Sequence, residues 1–149
     1  IPLFLYNSKT LDKPNFFLSA TLEKDKHKYY RLLNDTRNNK WADWVEFFLE
    51  SINTQAKNDI VRLKNIEISY EDTINKAKHV IKSNKIIDII DMLYGKPICT
   101  AKNIAEFTGI PIRTCRKYLN ILEDEKIIYS DQKIRNKIYY NYDLLNLIR

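Results

Sequence analysis

Residues 100–130 read TAKNIAEFTGIPIRTCRKYLNILEDEKIIYS, and the patterning of this stretch decides how the chain is organised. Thr100 carries a hydroxyl suited to cap a helix, and Ile104, Ala105 and Phe107 give that helix its apolar face. Gly109 follows as a residue able to take positive φ at a tight corner. A further helix, from about Pro111 to Glu125, separates its two sides. Ile112, Cys115, Leu119 and Leu122 fall on one, while Arg113, Arg116, Lys117 and Asn120 fall on the other. The first side packs and leaves the second as a basic outer face. Upstream, Ile86, Ile90 and Leu93 form the buried side of a short helix that Gly95 and Pro97 end. Downstream, IIYS and KIYYNY alternate as two strands around DQKIRNK, a loop that carries Lys133, Arg135 and Lys137.

Three short helices followed by a hairpin resemble a winged helix-turn-helix, over about residues 84–149. The resemblance implies a helix presented to the DNA major groove and a loop beside it. The candidate DNA-binding residues are Thr100, Lys102, Arg113, Thr114, Arg116, Lys117, Asn120, Lys133, Arg135 and Lys137. Arg and Lys reach guanine edges or phosphates, and the Asn120 amide can pair with adenine. One departure is Lys126, which stands where such domains usually carry glycine after the recognition helix, at a cost of about 1 kcal/mol if positive φ is retained. A protein-contact or dimerisation role is the alternative reading. From Ile110 to Lys137 seven basic residues face four acidic ones, Glu123, Asp124, Glu125 and Asp131, a balance of only +3.

The first half shows the three- and four-residue recurrence of helices over roughly 1–6, 15–35 and 42–64. In the last of these, Trp41, Trp44, Val45, Phe48, Leu49, Ile52 and Ala56 make one broad apolar stripe. Residues 65–69 break the pattern. Ser69, followed by Glu71 and Asp72, reads as the start of a connecting helix running to about Lys82, with its acids near the positive end of the helix dipole.

The segment KYYRLLNDTRNNKWADWVEFFLESINTQA carries a second resemblance. Its Tyr29-Tyr30, Arg37, Trp41, Trp44, Phe47-Phe48-Leu49 and Gln55-Ala56 are similar to the helices that follow the catalytic motif of Fic-family adenylyltransferases. The opening IPLFLY resembles the stretch directly after that motif, so the expectation is the carboxyl-terminal portion of a larger protein. On this reading the fold is mainly α, in three parts. Residues 1–68 are a helical bundle remnant of a Fic domain, 69–83 a linker helix and 84–149 a winged helix-turn-helix with a small β-hairpin. By resemblance, the intact parent would transfer AMP from ATP to a protein hydroxyl, with magnesium, and would couple this to transcriptional control. The family's HxFxxGNGRxxR motif does not occur in these residues, so no catalytic position and no cofactor transfers to this chain.

Composition narrows the remaining classes. A net charge of +6 over 149 residues favours polyanionic partners, with double-stranded DNA first among them. No run approaches the roughly 18 apolar residues of a membrane helix, and the opening lacks the basic start and cleavage site of a signal peptide. Two cysteines, Cys99 and Cys115, suit a reducing cytoplasm better than a disulfide framework. With His27 and His79 they lack zinc-ligand spacing, and Gly95 and Gly109 alone cannot build a phosphate-cradling loop. Asp88 and Asp91 lie one turn apart on a solvated helix face, far from any acid–base arrangement. Exposed aromatic stripes in the first half point to self-association or to another partner.

Overall fold

A computed structural model describes residues 2–10, 12–13 and 18–149. The chain divides into two compact units, Ile1–Val61 and Arg62–Arg149. In chain order the helices of the first half are α1 (Pro2–Asn7), α2 (Ser19–Lys24) and α3 (Lys26–Asp35). A 3-10 turn over Thr36–Asn38 leads to α4 (Ala42–Val80). Next come α5 (Lys85–Gly95), β1 (Ile98–Thr100), α6 (Ala101–Thr108) and α7 (Ile112–Asp124). The chain finishes with β2 (Tyr129–Ser130), β3 (Ile138–Tyr140) and α8 (Tyr142–Ile148). Among the described residues no helix is long and apolar enough to cross a membrane.

Three expectations for the first half change. The helix foreseen over 15–35 is two helices, because Asp25 leaves the helical region (φ −132°, ψ 52°) and its side chain accepts a hydrogen bond from Lys28 N at 3.3 Å, capping α3. Residues 15–17 of that expected helix lie outside the described residues. The break at 65–69 does not occur: α4 runs unbroken for 39 residues, since neither glycine nor proline interrupts 42–80. Ser69 is therefore an interior residue whose carbonyl accepts the Thr73 hydroxyl at 2.7 Å.

The broad stripe on α4 is also displaced. Its buried line is Phe47, Ser51 and Gln55, whereas Trp41, Val45 and Leu49 are exposed. Hydrogen bonding permits this burial of polar groups. Ser51 Oγ donates to the Phe47 carbonyl at 2.7 Å, and Gln55 accepts the Thr21 hydroxyl while donating to Asp59 Oδ1 at 2.9 Å. Trp44 and Phe48 stack at 5.1 Å between ring centroids, and Lys28 Nζ lies over the Phe47 ring.

The second unit holds a continuous core. Ile86, Ile89, Ile90 and Leu93 of α5 meet Ile104 of α6 and Cys115, Leu119 and Leu122 of α7, closed by Ile128 and Tyr139. Ala77 near the end of α4, and Ile81 just after it, belong to the same core. Tyr70 and Tyr94 pack edge to face, the Tyr70 hydroxyl donates to Asp91, and the Tyr94 hydroxyl meets Ser69 and Thr73. Bonding to the Asp91 carboxylate pushes the Tyr70 phenol up to about 12. Two side chains expected on inner faces stay in water: Phe107 is 71% exposed and Ile112 36%. Phe107 lies near the end of its short helix and Ile112 opens α7, where no facing element covers them.

The expected hairpin is part of a three-stranded antiparallel sheet of order β1-β3-β2. Cys99 pairs with Tyr139 on one side of β3, and Tyr129 with Tyr140 on the other. The strands are shorter than the alternating runs suggest because chain reversals at both ends leave few residues to pair. Asn141 ends β3 by accepting Leu144 N at 3.1 Å, which starts α8 where the alternation of KIYYNY implies more strand.

Candidate nucleic-acid interface

The start of α6 is fixed by a reciprocal cap. Thr100 Oγ1 accepts Asn103 N at 3.3 Å, and Asn103 Oδ1 accepts Thr100 N at 3.1 Å. Its end is fixed by Gly109 at φ 70°, whose N–H returns to the Ala105 carbonyl at 3.0 Å. Pro111 then supplies an extended entry to α7 (φ −54°, ψ 133°). Cys115, Leu119 and Leu122 are wholly buried along the inner face of α7, which aims Arg113, Arg116, Lys117 and Asn120 outward. Helix, glycine corner and second helix thus present a polar, cationic strip from a rigid support.

Beside that strip, the start of α6 and the β2–β3 loop enclose a groove of about 620 Å³. Seven of the ten residues chosen from sequence line it: Thr100, Lys102, Arg116, Asn120, Lys133, Arg135 and Lys137. Arg113 and Lys117 are exposed on α7 outside the groove, and Thr114 is half-buried there. Residues 83–129 match a winged helix-turn-helix DNA-binding family. The match takes in α5 to the start of β2; the loop over 131–137 that follows it joins β2 to β3 in the position of a wing and is called the wing below.

The wing is anchored by two carboxylates. Glu123, on the last turn of α7, accepts Ser130 Oγ at 2.6 Å, Gln132 Nε2 at 3.0 Å and the Lys137 ammonium. Burial alone would push its carboxyl up, but these donors outweigh burial and hold it below the usual glutamate range. The Glu123 hydrogen bond in turn raises the Lys137 ammonium. Asp131 accepts Lys133 N at 3.2 Å and Ile138 N at 3.1 Å, closing the base of the loop, and pairs with Lys133 Nζ at 3.2 Å. Two of the four acids that dilute the basic face in a charge count, Glu123 and Asp131, are thus structural.

The same clamps rank the cations of the winged helix. Lys137 is three-quarters buried against Glu123, Lys133 carries a carboxylate partner, and Lys102 faces Glu106 at 3.7 Å in an exposed pair. Exposed pairs of this kind are weak and yield readily to a competing anion. Arg116 and Arg135 pair with no carboxylate among the described residues. They are the strongest free positive centres of the groove.

Tyr139 is the groove residue that charge and helix patterning pass over. It is 3% exposed at the groove floor, and its hydroxyl donates to Asn120 Oδ1 at 3.3 Å, leaving the Asn120 amide nitrogen to donate outward. Only its place in the alternating run KIYYNY hinted at an inward side chain. The cysteines take no part in the groove: burial raises the Cys99 thiol to about 11 and also lifts Cys115. Among the described residues no cluster of three or more His, Cys, Asp or Glu side chains could hold a metal ion.

The Lys126 departure keeps its strain. Lys126 has φ 58°, its N–H returns to the Glu123 carbonyl at 2.9 Å, and Ile127 N returns to the Leu122 carbonyl at 2.8 Å. This is a Schellman ending with lysine at the left-handed position.

Proposed function

We propose that this chain is the DNA-binding module of a transcription regulator, working in the cytoplasm on double-stranded DNA. The observation that carries the reading is the convergence of Arg116, Asn120, Lys102 and Arg135 on one groove beside an α7 held rigid by its buried face. In this reading α7 lies in the major groove, where Arg116 addresses guanine and Asn120 donates to a base edge. One phosphate strand runs through the groove between α7 and the wing. There it meets Lys102, Lys133 and Arg135.

Fluorescence anisotropy with duplex DNA over a salt series tests this. Affinity falls steeply with salt, Arg116→Ala lowers it by roughly tenfold or more, and Lys133→Ala reduces the salt slope by about one contact. A wild-type chain with no salt-dependent affinity for duplexes returns the domain to the protein-docking class.

The finer reading joins this module to a Fic-type parent that transfers AMP, with ATP and magnesium bound by residues upstream of this chain. Its support is the aromatic pattern of residues 29–56 and the run IPLFLY. Reading the gene upstream of Ile1 tests it: HxFxxGNGRxxR directly before IPLFLY is the expected result, and unrelated sequence there ends the proposal.

A further inference from the structure

Ile134 is completely exposed, at 100%, the highest value among the large hydrophobic side chains described. It sits at the tip of the wing between Lys133 and Arg135, and the groove that it borders is otherwise polar and basic apart from Ala101 and Tyr139. Exposed apolar side chains are common on this chain, but Ile134 alone combines full exposure with a place between two groove cations, which leaves its whole apolar surface free for a bound partner.

The backbone around it is held. Gln132 and Asn136 both take positive φ (59° and 52°), and between them Lys133, Ile134 and Arg135 project as a tip. Below the tip, Asp131 bonds Lys133 N and Ile138 N, while Glu123 grips Ser130, Gln132 and Lys137. A β-branched side chain is also stiff about its first torsion. The result is an apolar point on a braced stalk, flanked by two cations.

Its destination follows from the groove. With α7 in the major groove and a phosphate strand in the cationic channel between α7 and the wing, the far side of that strand is the minor groove. We infer that Ile134 is a wedge that enters the minor groove and partly unstacks a base step, with Lys133 and Arg135 holding the flanking phosphates. Because pyrimidine–purine steps unstack most easily, the wing would then select DNA by deformability as well as by charge. This inference rests on the DNA-binding reading and goes beyond it by assigning a specificity residue.

The test uses the 149-residue chain and two short duplexes, one carrying TA steps in phase with the helical turn and one of A-tracts, each labelled with a fluorescent adenine analogue. Ile134→Thr keeps the β-branch and removes the apolar tip; as the side chain packs against nothing, circular dichroism should be unchanged. The expected result is a roughly tenfold loss on the TA duplex, less than about twofold on the A-tract duplex, and loss of the unstacking fluorescence that wild type produces. Arg116→Ala, in contrast, should weaken both duplexes alike. Equal behaviour of Ile134→Thr and wild type, or an equal loss on both duplexes, overturns the wedge and leaves DNA binding standing. Failure of wild type to bind either duplex overturns the DNA reading and the wedge with it.

Discussion

The two units of this chain bury their side chains in different ways. In Arg62–Arg149 a run of isoleucine and leucine positions at or near zero exposure forms one contiguous core, with polar groups confined to its edges. Among the described residues of Ile1–Val61 the buried hydrophobics are Leu32 and Phe47, and the other buried positions are Thr36, Ser51 and Gln55, all hydrogen-bonded. Tyr30, Trp41, Leu49, Ile60 and Val61 meanwhile stay more than half exposed. Burial of apolar area is the main favourable term in folding, so the described residues of the second unit gain far more from it than those of the first. The tightest packing thereby lies behind α7, the helix that carries the cationic strip.

The sharpest way to break this comparison is to open the core. Leu119→Ala removes a wholly buried side chain and should cost about 3 kcal/mol in denaturant unfolding, while Leu49→Ala, at 58% exposure, should change stability by less than about 0.5 kcal/mol. Similar costs at the two sites would abolish the distinction. Amide exchange offers the same contrast without mutation, with the slowest amides in α5 and α7 and none within Ile1–Val61.

A smaller effect separates the wing from the core behind it. Glu123→Gln removes the charge that gathers Ser130, Gln132 and Lys137 and should cost about 2 kcal/mol. Because the folded carboxyl lies below its ordinary range, its contribution is fully present above the unfolded glutamate pKa and disappears as pH falls through the folded value. The raised Lys137 acts oppositely, its share being lost only as pH rises through its folded value. Wild-type stability should therefore drop on acidification more than that of Glu123→Gln; parallel acid profiles would show that the clamp is not electrostatic. The smallest gain comes at the end of α7, where Lys126→Gly relieves a left-handed lysine and should stabilise by about 1 kcal/mol, read as a shift in the unfolding midpoint.

The winged helix was legible because its signals are local. The apolar spacing of Cys115, Leu119 and Leu122, the glycine at 109 and the alternation around residues 131–137 each dictate a backbone state within a few residues. The long helix departs from its local signals for the complementary reason. Ser69 with Glu71 and Asp72 has the composition of a helix start, but capping requires the backbone to leave the helical region, and nothing from 42 to 80 forces that. Ser69 instead turns its hydroxyl to Tyr94, a partner 25 residues away. Tertiary partners likewise decide which cations of the candidate site are occupied. Lys137 and Arg135 look equivalent in DQKIRNK, but only the fold brings Glu123 onto Lys137. The three-residue β1 and the seven-residue α8 are too short for periodicity to reveal.

The polar seam along the end of α4 has a practical consequence. Tyr70 on Asp91, Ser69 and Thr73 on Tyr94, and Ala77 and Ile81 in the core make the last three turns of that helix part of the winged helix's own framework. An expression fragment cut at Ser83, where the family match begins, would expose the back of α5 and discard its hydroxyl partners. One beginning near Arg62 would keep both, and should yield the smallest soluble piece on which operator selection and crystallisation with DNA can be attempted.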